Sequence, residues 1–328
     1  METTAGFFQR KDFMNSEIKD IVNGSWDITH SLMPRQNVIY HYTSPSGLLG
    51  ILEAGGSAKL YFTQYDSLND KSERNHAIDT IYHVCENCVK KKIFSQKFYE
   101  IVKECTDPQK ILFLRPSTKH PRAQAPFWDE YDTYLCSFSE GEDSLPMWNY
   151  YSKSQHYEGY NIGFYIGNMS AERFSGYRLD IAKIIYQDEK KETLIENLLI
   201  PIAKKLECAN KTADNPWLIP ELTNVLNNVI LAFKKSCFAH EEEVRMILRI
   251  PKCYRDTGTE KVSERKYRHN NGYIIPYVEY SFEKKAVCEI HIAPLLEPEI
   301  TQQNIYDLLA QRNYTCVHVF PSEIPIRF

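Results

Sequence analysis

A chain of 328 residues, 43% hydrophobic and 25% charged, carries enough apolar material for a large core, which excludes a disordered or low-complexity protein. Its net charge of -4 excludes indiscriminate nucleic-acid binding by the whole surface, while leaving room for a local basic patch. No apolar run approaches the roughly 18 residues of a membrane span, and the opening residues lack a signal-peptide core, so the expectation is a cytoplasmic protein with no membrane partner.

Nine cysteines, an odd number without framework spacing, fit a reducing compartment. Residues 1–36 read as an N-terminal extension with a helix from Asp12 to Val22, and residues 37–328 as a single α+β domain. A strand from Asn37 to Tyr42 ends in the polar cluster Tyr40-His41-Tyr42-Thr43-Ser44, whose spacing puts His41 and Thr43 on one face. Ser44-Pro45 then reads as an N-cap with proline in the first turn of a helix stopped by Gly55-Gly56. A strand from Lys59 to Gln64 leads to the turn Asp66 to Asp70 and a long helical region from Lys71 to about Cys105. Inside it, Cys85 and Cys88 read as structural helix cysteines, since no second pair accompanies them.

A Pro-rich, basic connection, Arg115 to Pro126, precedes a strand from Thr133 to Ser139, a short helix from Leu145 to Ser152, and strands over Tyr160 to Ile166 and Leu179 to Tyr186. Lys190 to Cys208 and Ile219 to Lys235 read as a helical insertion at about 189–235. The last third is strand-rich: Glu243 to Ile250, Gly272 to Tyr280, Val287 to Ile292, a helix from Thr301 to Arg312, and a strand from Thr315 to Phe320. Regular βαβ alternation is absent, so the sheet should be mixed or antiparallel, split and flanked by helices. The common glycine-rich phosphate cradles are absent too.

Alternation in the strand entered near Glu241 puts Glu241, Glu243 and Arg245 opposite the apolar Val244, Met246, Leu248 and Ile250. Those polar side chains either form solvent-facing ion pairs or line a cleft, with Arg245 orienting a glutamate or holding a phosphate. Arg249 to Arg268 holds seven basic residues against three acids, which reads as a solvated loop or a phosphate-contacting one.

The ordered motifs His41-Tyr42-Thr43-Ser44, Asn69-Asp70-Lys71-Ser72-Glu73, Phe138-Ser139, Met147-Trp148-Asn149-Tyr150-Tyr151, Glu241-Glu242-Glu243-Val244-Arg245 and Ile275-Pro276-Tyr277 resemble the bacterial family called domain of unknown function 2971. More distantly, a His-x-Thr strand, a Leu-rich helix and a Tyr-Phe strand are similar to the opening of the His, aromatic, Glu class of ADP-ribosyltransferases. That second resemblance implies an ADP-ribosyltransferase-like fold and NAD as substrate, with His41 and Glu243 (or Glu241) as catalytic residues. Cofactor contacts would come from Thr43, Ser44, Tyr61, Asn69, Trp148, Tyr151 and Arg245, with the stacking aromatic and the key acid left open. Cleaving the ribose to nicotinamide bond builds positive charge on the sugar, which a carboxylate stabilises.

These expectations describe an NAD-consuming enzyme, a toxin or antiphage effector, with no metal. Its acceptor includes nucleic acid through Arg115 to Arg122 and Arg249 to Arg268, and a regulatory partner would restrain it. A non-catalytic nucleotide-sensing or partner-binding module is the alternative. A metal-dependent hydrolase or nuclease using Asp70, Glu73, Glu241 and Glu243 is the third reading.

Overall fold

The computed structural model describes residues 32–34, 36–53, 55–67, 71–107, 131–151, 158–169, 177–208, 218–270 and 272–325. The extension at 1–31, Asn69, and the segment from Arg115 to Arg122 lie outside them. Contacts divide the chain into two compact units. One takes Asp70–Tyr131 and Ile185–Cys237, the other Met33–Asn69, Asp132–Ile184 and Phe238–Phe328.

The described part of the first unit is helical. Its helices are α2 (Lys71–Lys90), α3 (Gln96–Thr106), α5 (Asp188–Cys208) and α6 (Leu218–Leu231). The expected insertion at about 189–235 therefore falls in the same unit as α2 and α3, and α2 packs against all three other helices. The helical region expected over Lys71 to about Cys105 consists of two helices. Lys92 takes a left-handed φ of 57°, and Ser95 starts α3 by accepting from the Phe98 amide at 3.3 Å. A side-chain oxygen satisfying an orphan helix amide is a local start signal that apolar periodicity overlooks. Cys85 and Cys88 are both buried, and burial pushes the Cys85 thiol up to about 12, as expected of inert helix packing.

The second unit is built on a ten-stranded mixed sheet. It contains β1 (Val38–Thr43), β2 (Ser57–Gln64), β3 (Tyr131–Ser139), β4 (Tyr160–Tyr165), β5 (Arg178–Lys183), β6 (Glu243–Pro251), β7 (Lys266–Asn270), β8 (Tyr273–Glu283), β9 (Val287–Ile292) and β10 (His318–Pro321). Helices α1 (Pro45–Ile51), α4 (Leu145–Tyr151) and α7 (Pro298–Gln311) accompany it. The main path runs β10-β9-β4-β1-β3-β2-β8-β7, and β6 branches from β3 and carries β5. Along that path every pairing is antiparallel except β9 with β10.

A strand has two edges, yet β3 pairs with β1, β2 and β6, so two partners must share one edge along different lengths. The sheet therefore branches at β3. β1 is paired with β4 along its whole length, from Val38↔Tyr165 to Thr43↔Tyr160, but meets β3 in register at Tyr40↔Ser139 alone. One face is closed by a core that includes Ile39, Phe62, Phe138, Phe164, Met246 and Leu248; Tyr40, Tyr42, Met147, Trp148 and Ala293 form a smaller cluster.

Turn chemistry sets the entry to α1. Ser44 is its N-cap, accepting from the Gly47 amide at 3.2 Å, and Pro45 supplies the preset φ of the first turn. A Cβ on Gly47 would lie 2.0 Å from Thr43 Oγ1, so only glycine lets the helix close on the last residue of the strand.

Candidate active site

Beyond Tyr40↔Ser139 the edges of β1 and β3 part, and the His41 imidazole fills the gap. Its Nδ1 lies 3.0 Å from the Ser137 carbonyl oxygen, and its ring packs 5.5 Å from the ring of Phe138. Because a carbonyl only accepts, Nδ1 must carry the proton. Burial, with the positive charge of Arg268, holds the His41 pKa below the ordinary imidazole value; the Ser137 hydrogen bond opposes them without reversing the shift. The ring is therefore neutral near pH 7, and its Nε2 presents a lone pair.

The opposite wall comes from β6. Ser137 Oγ donates to Glu243 Oε1 at 2.7 Å. The Arg245 guanidinium grips the same carboxylate in a fork, Nε to Oε1 at 2.8 Å and Nη2 to Oε2 at 3.0 Å. Glu243 is 4% exposed and Arg245 6%, so the solvent-facing ion-pair alternative for this face does not hold. Every residue from Glu243 to Ile250 is buried, because β5 covers the second edge of β6. Glu241 arrives from the turn Ser236–Glu241, and its carbonyl accepts from Ser139 Oγ at 2.7 Å. Between the two acids Glu242 has a left-handed φ of 44°, which redirects the chain from turn to strand.

Together, Tyr40, His41, Tyr42, Ser137, Phe138, Met147, Tyr151, Glu241 and Glu243 line a recess of about 280 Å³ including its open mouth.

Of the expected site residues, His41, Glu241, Glu243 and Tyr151 meet at this recess, and Arg245 reaches it through Glu243. Trp148, a candidate cofactor contact whose ring suits core packing as well, is fully buried, edge-on to Tyr42 with ring centroids 4.8 Å apart, and its Nε1 donates to Asp143. Tyr61 is exposed on β2 against Tyr277, with the Arg268 guanidinium over both rings, and does not line the recess. Thr43 and Ser44 are used in the join to α1. Asn69 lies outside the described residues. The basic stretch Arg249 to Arg268 is no bare loop. Arg249 pairs with Asp180, Arg255 with Asp132, Arg265 with Asp256 and Lys266 with Glu279, which leaves less charge for phosphate.

Ser137 is the member of the site that sequence reasoning passed over. The cluster Cys136 to Ser139 marks the strand as polar-edged, but nothing local tells which serine faces a distant glutamate.

No curated protein and no solved structure matches the chain. Residues 147–246, which bring Met147, Tyr151, Glu241 and Glu243 to the recess, match the model of the family described as protein of unknown function (DUF2971), the family to which the ordered motifs of the sequence point.

Proposed function

We propose that the protein is an NAD-consuming enzyme of the ADP-ribosyltransferase type, with an ADP-ribosyltransferase-like split sheet and its reaction centre where β1 and β3 part. The observation that carries this reading is the chain of contacts from His41 through Ser137 to Glu243, which joins a neutral imidazole and a buried carboxylate across one recess.

In the proposed reaction the bond between ribose C1′ and the nicotinamide nitrogen breaks, and its electron pair leaves with nicotinamide. The oxocarbenium-like sugar is met by an acceptor oxygen or water, which forms the new C1′–O bond and loses its proton to solvent. Glu243 supplies the negative charge that favours the sugar cation. Since the Nδ1 proton of His41 is committed to Ser137, the ribose hydroxyl donates to Nε2 and not the reverse. Tyr151, 37% exposed at the recess, is the aromatic suited to stack on the departing ring. Ser137 and Arg245 position the carboxylate.

Purified protein and its Glu243→Gln variant, incubated with NAD and a bacterial lysate, provide the test. Wild type is expected to release free nicotinamide and the variant to lose at least 100-fold in rate, the scale on which a group stabilising transition-state charge acts. Equal release by both would remove Glu243 from the chemistry. A second reading, a module that binds a nucleotide without cleaving it, is favoured by the Arg245 fork, which already neutralises much of the Glu243 charge. Saturable NAD binding with no nicotinamide release identifies that case.

A further inference from the structure

On the face of the sheet opposite His41, strand alternation and register bring a second set of polar groups together. Tyr40 on β1, Gly163 on β4 and Glu289 on β9 form one cross-strand row, and Tyr42, Asn161 and His291 the next. Gly163 explains how the outer members of the first row touch. A Cβ there would lie 3.0 Å from Glu289 Cβ and 3.2 Å from Tyr40 Cε1, so the missing side chain lets the Tyr40 ring lie across β4. Its hydroxyl reaches Glu289 Oε2 at 3.0 Å and Glu142 Oε2 at 3.3 Å. His291 Nε2 is 3.3 Å from the same Glu289 oxygen.

We propose that Glu142, Glu289 and His291 form a binding site for a divalent first-row transition metal ion, with Asn161 Oδ1 as a further oxygen ligand. Each of the three offers one ligand atom, and these atoms all lie within 4.8 Å of one another. Ligands at about 2.1 Å from one ion stand roughly 3 to 4 Å apart, so a small contraction completes the set. Two carboxylates and an imidazole suit manganese, iron or zinc better than calcium, which takes oxygen alone.

Two independent features point to a cation. The Tyr40 hydroxyl has one hydrogen and can satisfy only one of the two carboxylates at a time. Asn161 is wholly buried, and its Oδ1 has no hydrogen-bond partner among the described residues although its Nδ2 donates to the Glu142 carbonyl at 2.7 Å. That amide is tied to the Glu142 carbonyl, on a residue whose register partner is His291, and a buried acceptor without a donor is costly unless something binds it. Glu142 is exposed, which gives an ion a way in from solvent. The site uses none of the residues assigned to nicotinamide cleavage, and its test needs no NAD.

The full chain, stripped with chelator and titrated with Mn²⁺ alone while the free-ion electron paramagnetic resonance signal is followed, is expected to show one saturable site per chain. His291→Ala and Glu289→Gln should each weaken that binding at least tenfold. Glu142→Gln, at an exposed position that leaves packing intact, should do the same and keeps the test decisive if the other two variants fail to fold. Absence of saturable uptake by wild type, or unchanged binding in Glu142→Gln together with either other variant, would overturn the proposal. The first of those results is what His291 and Glu289 pairing only with each other would give.

Discussion

Arg245 donates twice to Glu243, and both side chains are more than nine-tenths buried. A buried carboxylate robbed of its cation loses far more than a surface pair would. Arg245→Met should cost about 3 kcal/mol or more, seen as a lower urea midpoint at pH 7. The double change Arg245→Met with Glu243→Met should recover much of that loss, because no charge is then left alone. At this scale the ends of the site were readable. His41 and Glu243 are polar residues at the edges of apolar strands, a placement that sequence alternation exposes. The link between them was not, since Ser137 lies 96 positions from His41 and 106 from Glu243, and no local pattern encodes a contact across those distances. Trp148 was open between a ligand platform and the core, since a large amphipathic ring suits both, and its burial with Asp143 satisfying its one donor places it in the core.

Elements were more legible than residues, because each depends on near neighbours. β9 appears with its expected bounds, Val287 to Ile292, and the Ser44-Pro45 start of α1 is as the residue types require. Shifts occur where backbone conformation departs from hydrophobic rhythm. α7 begins at Pro298, ahead of the expected Thr301, and β10 waits until His318 because Cys316 takes a left-handed φ of 60°. Glycine placement governs the junction of β1 with α1, and Gly47 offers a clean test. Gly47→Ala forces a methyl into the space of Thr43 Oγ1, a strain of about 1 to 3 kcal/mol. Thermal unfolding should show it as a lower Tm, and the double change Gly47→Ala with Thr43→Ala should restore part of the difference.

For the molecule as a whole, the mixture of strands and unequal helices was enough to predict a mixed sheet with helices, but not the strand order, since β6 finds β3 across more than a hundred residues. Global stability should carry a signature of two imidazoles whose pKa the fold lowers. His41 is held below its ordinary pKa by burial and by Arg268, and His76 by burial and by the charge of Lys191. Below about pH 6.5 the unfolded chain takes up these protons while the native one does not, so the unfolded state binds more. Stability should therefore fall as pH drops through that value and level off once the native pKa values are passed, each histidine contributing at most about 1.4 kcal/mol per pH unit. Urea unfolding from pH 7.5 to 5 checks this, and His41→Asn should flatten the slope.

The three strands that supply His41, Ser137 and Glu243 are separated in the chain by the two excursions Asp70–Tyr131 and Ile185–Cys237. A ribosome therefore delivers them at well-spaced times, and no nascent chain holds the complete arrangement until the stretch beyond Arg245 has emerged. Under the proposed reading, chemistry at that recess is withheld until then, and products truncated within the second excursion carry the histidine and the serine but lack Glu243 and should release no nicotinamide.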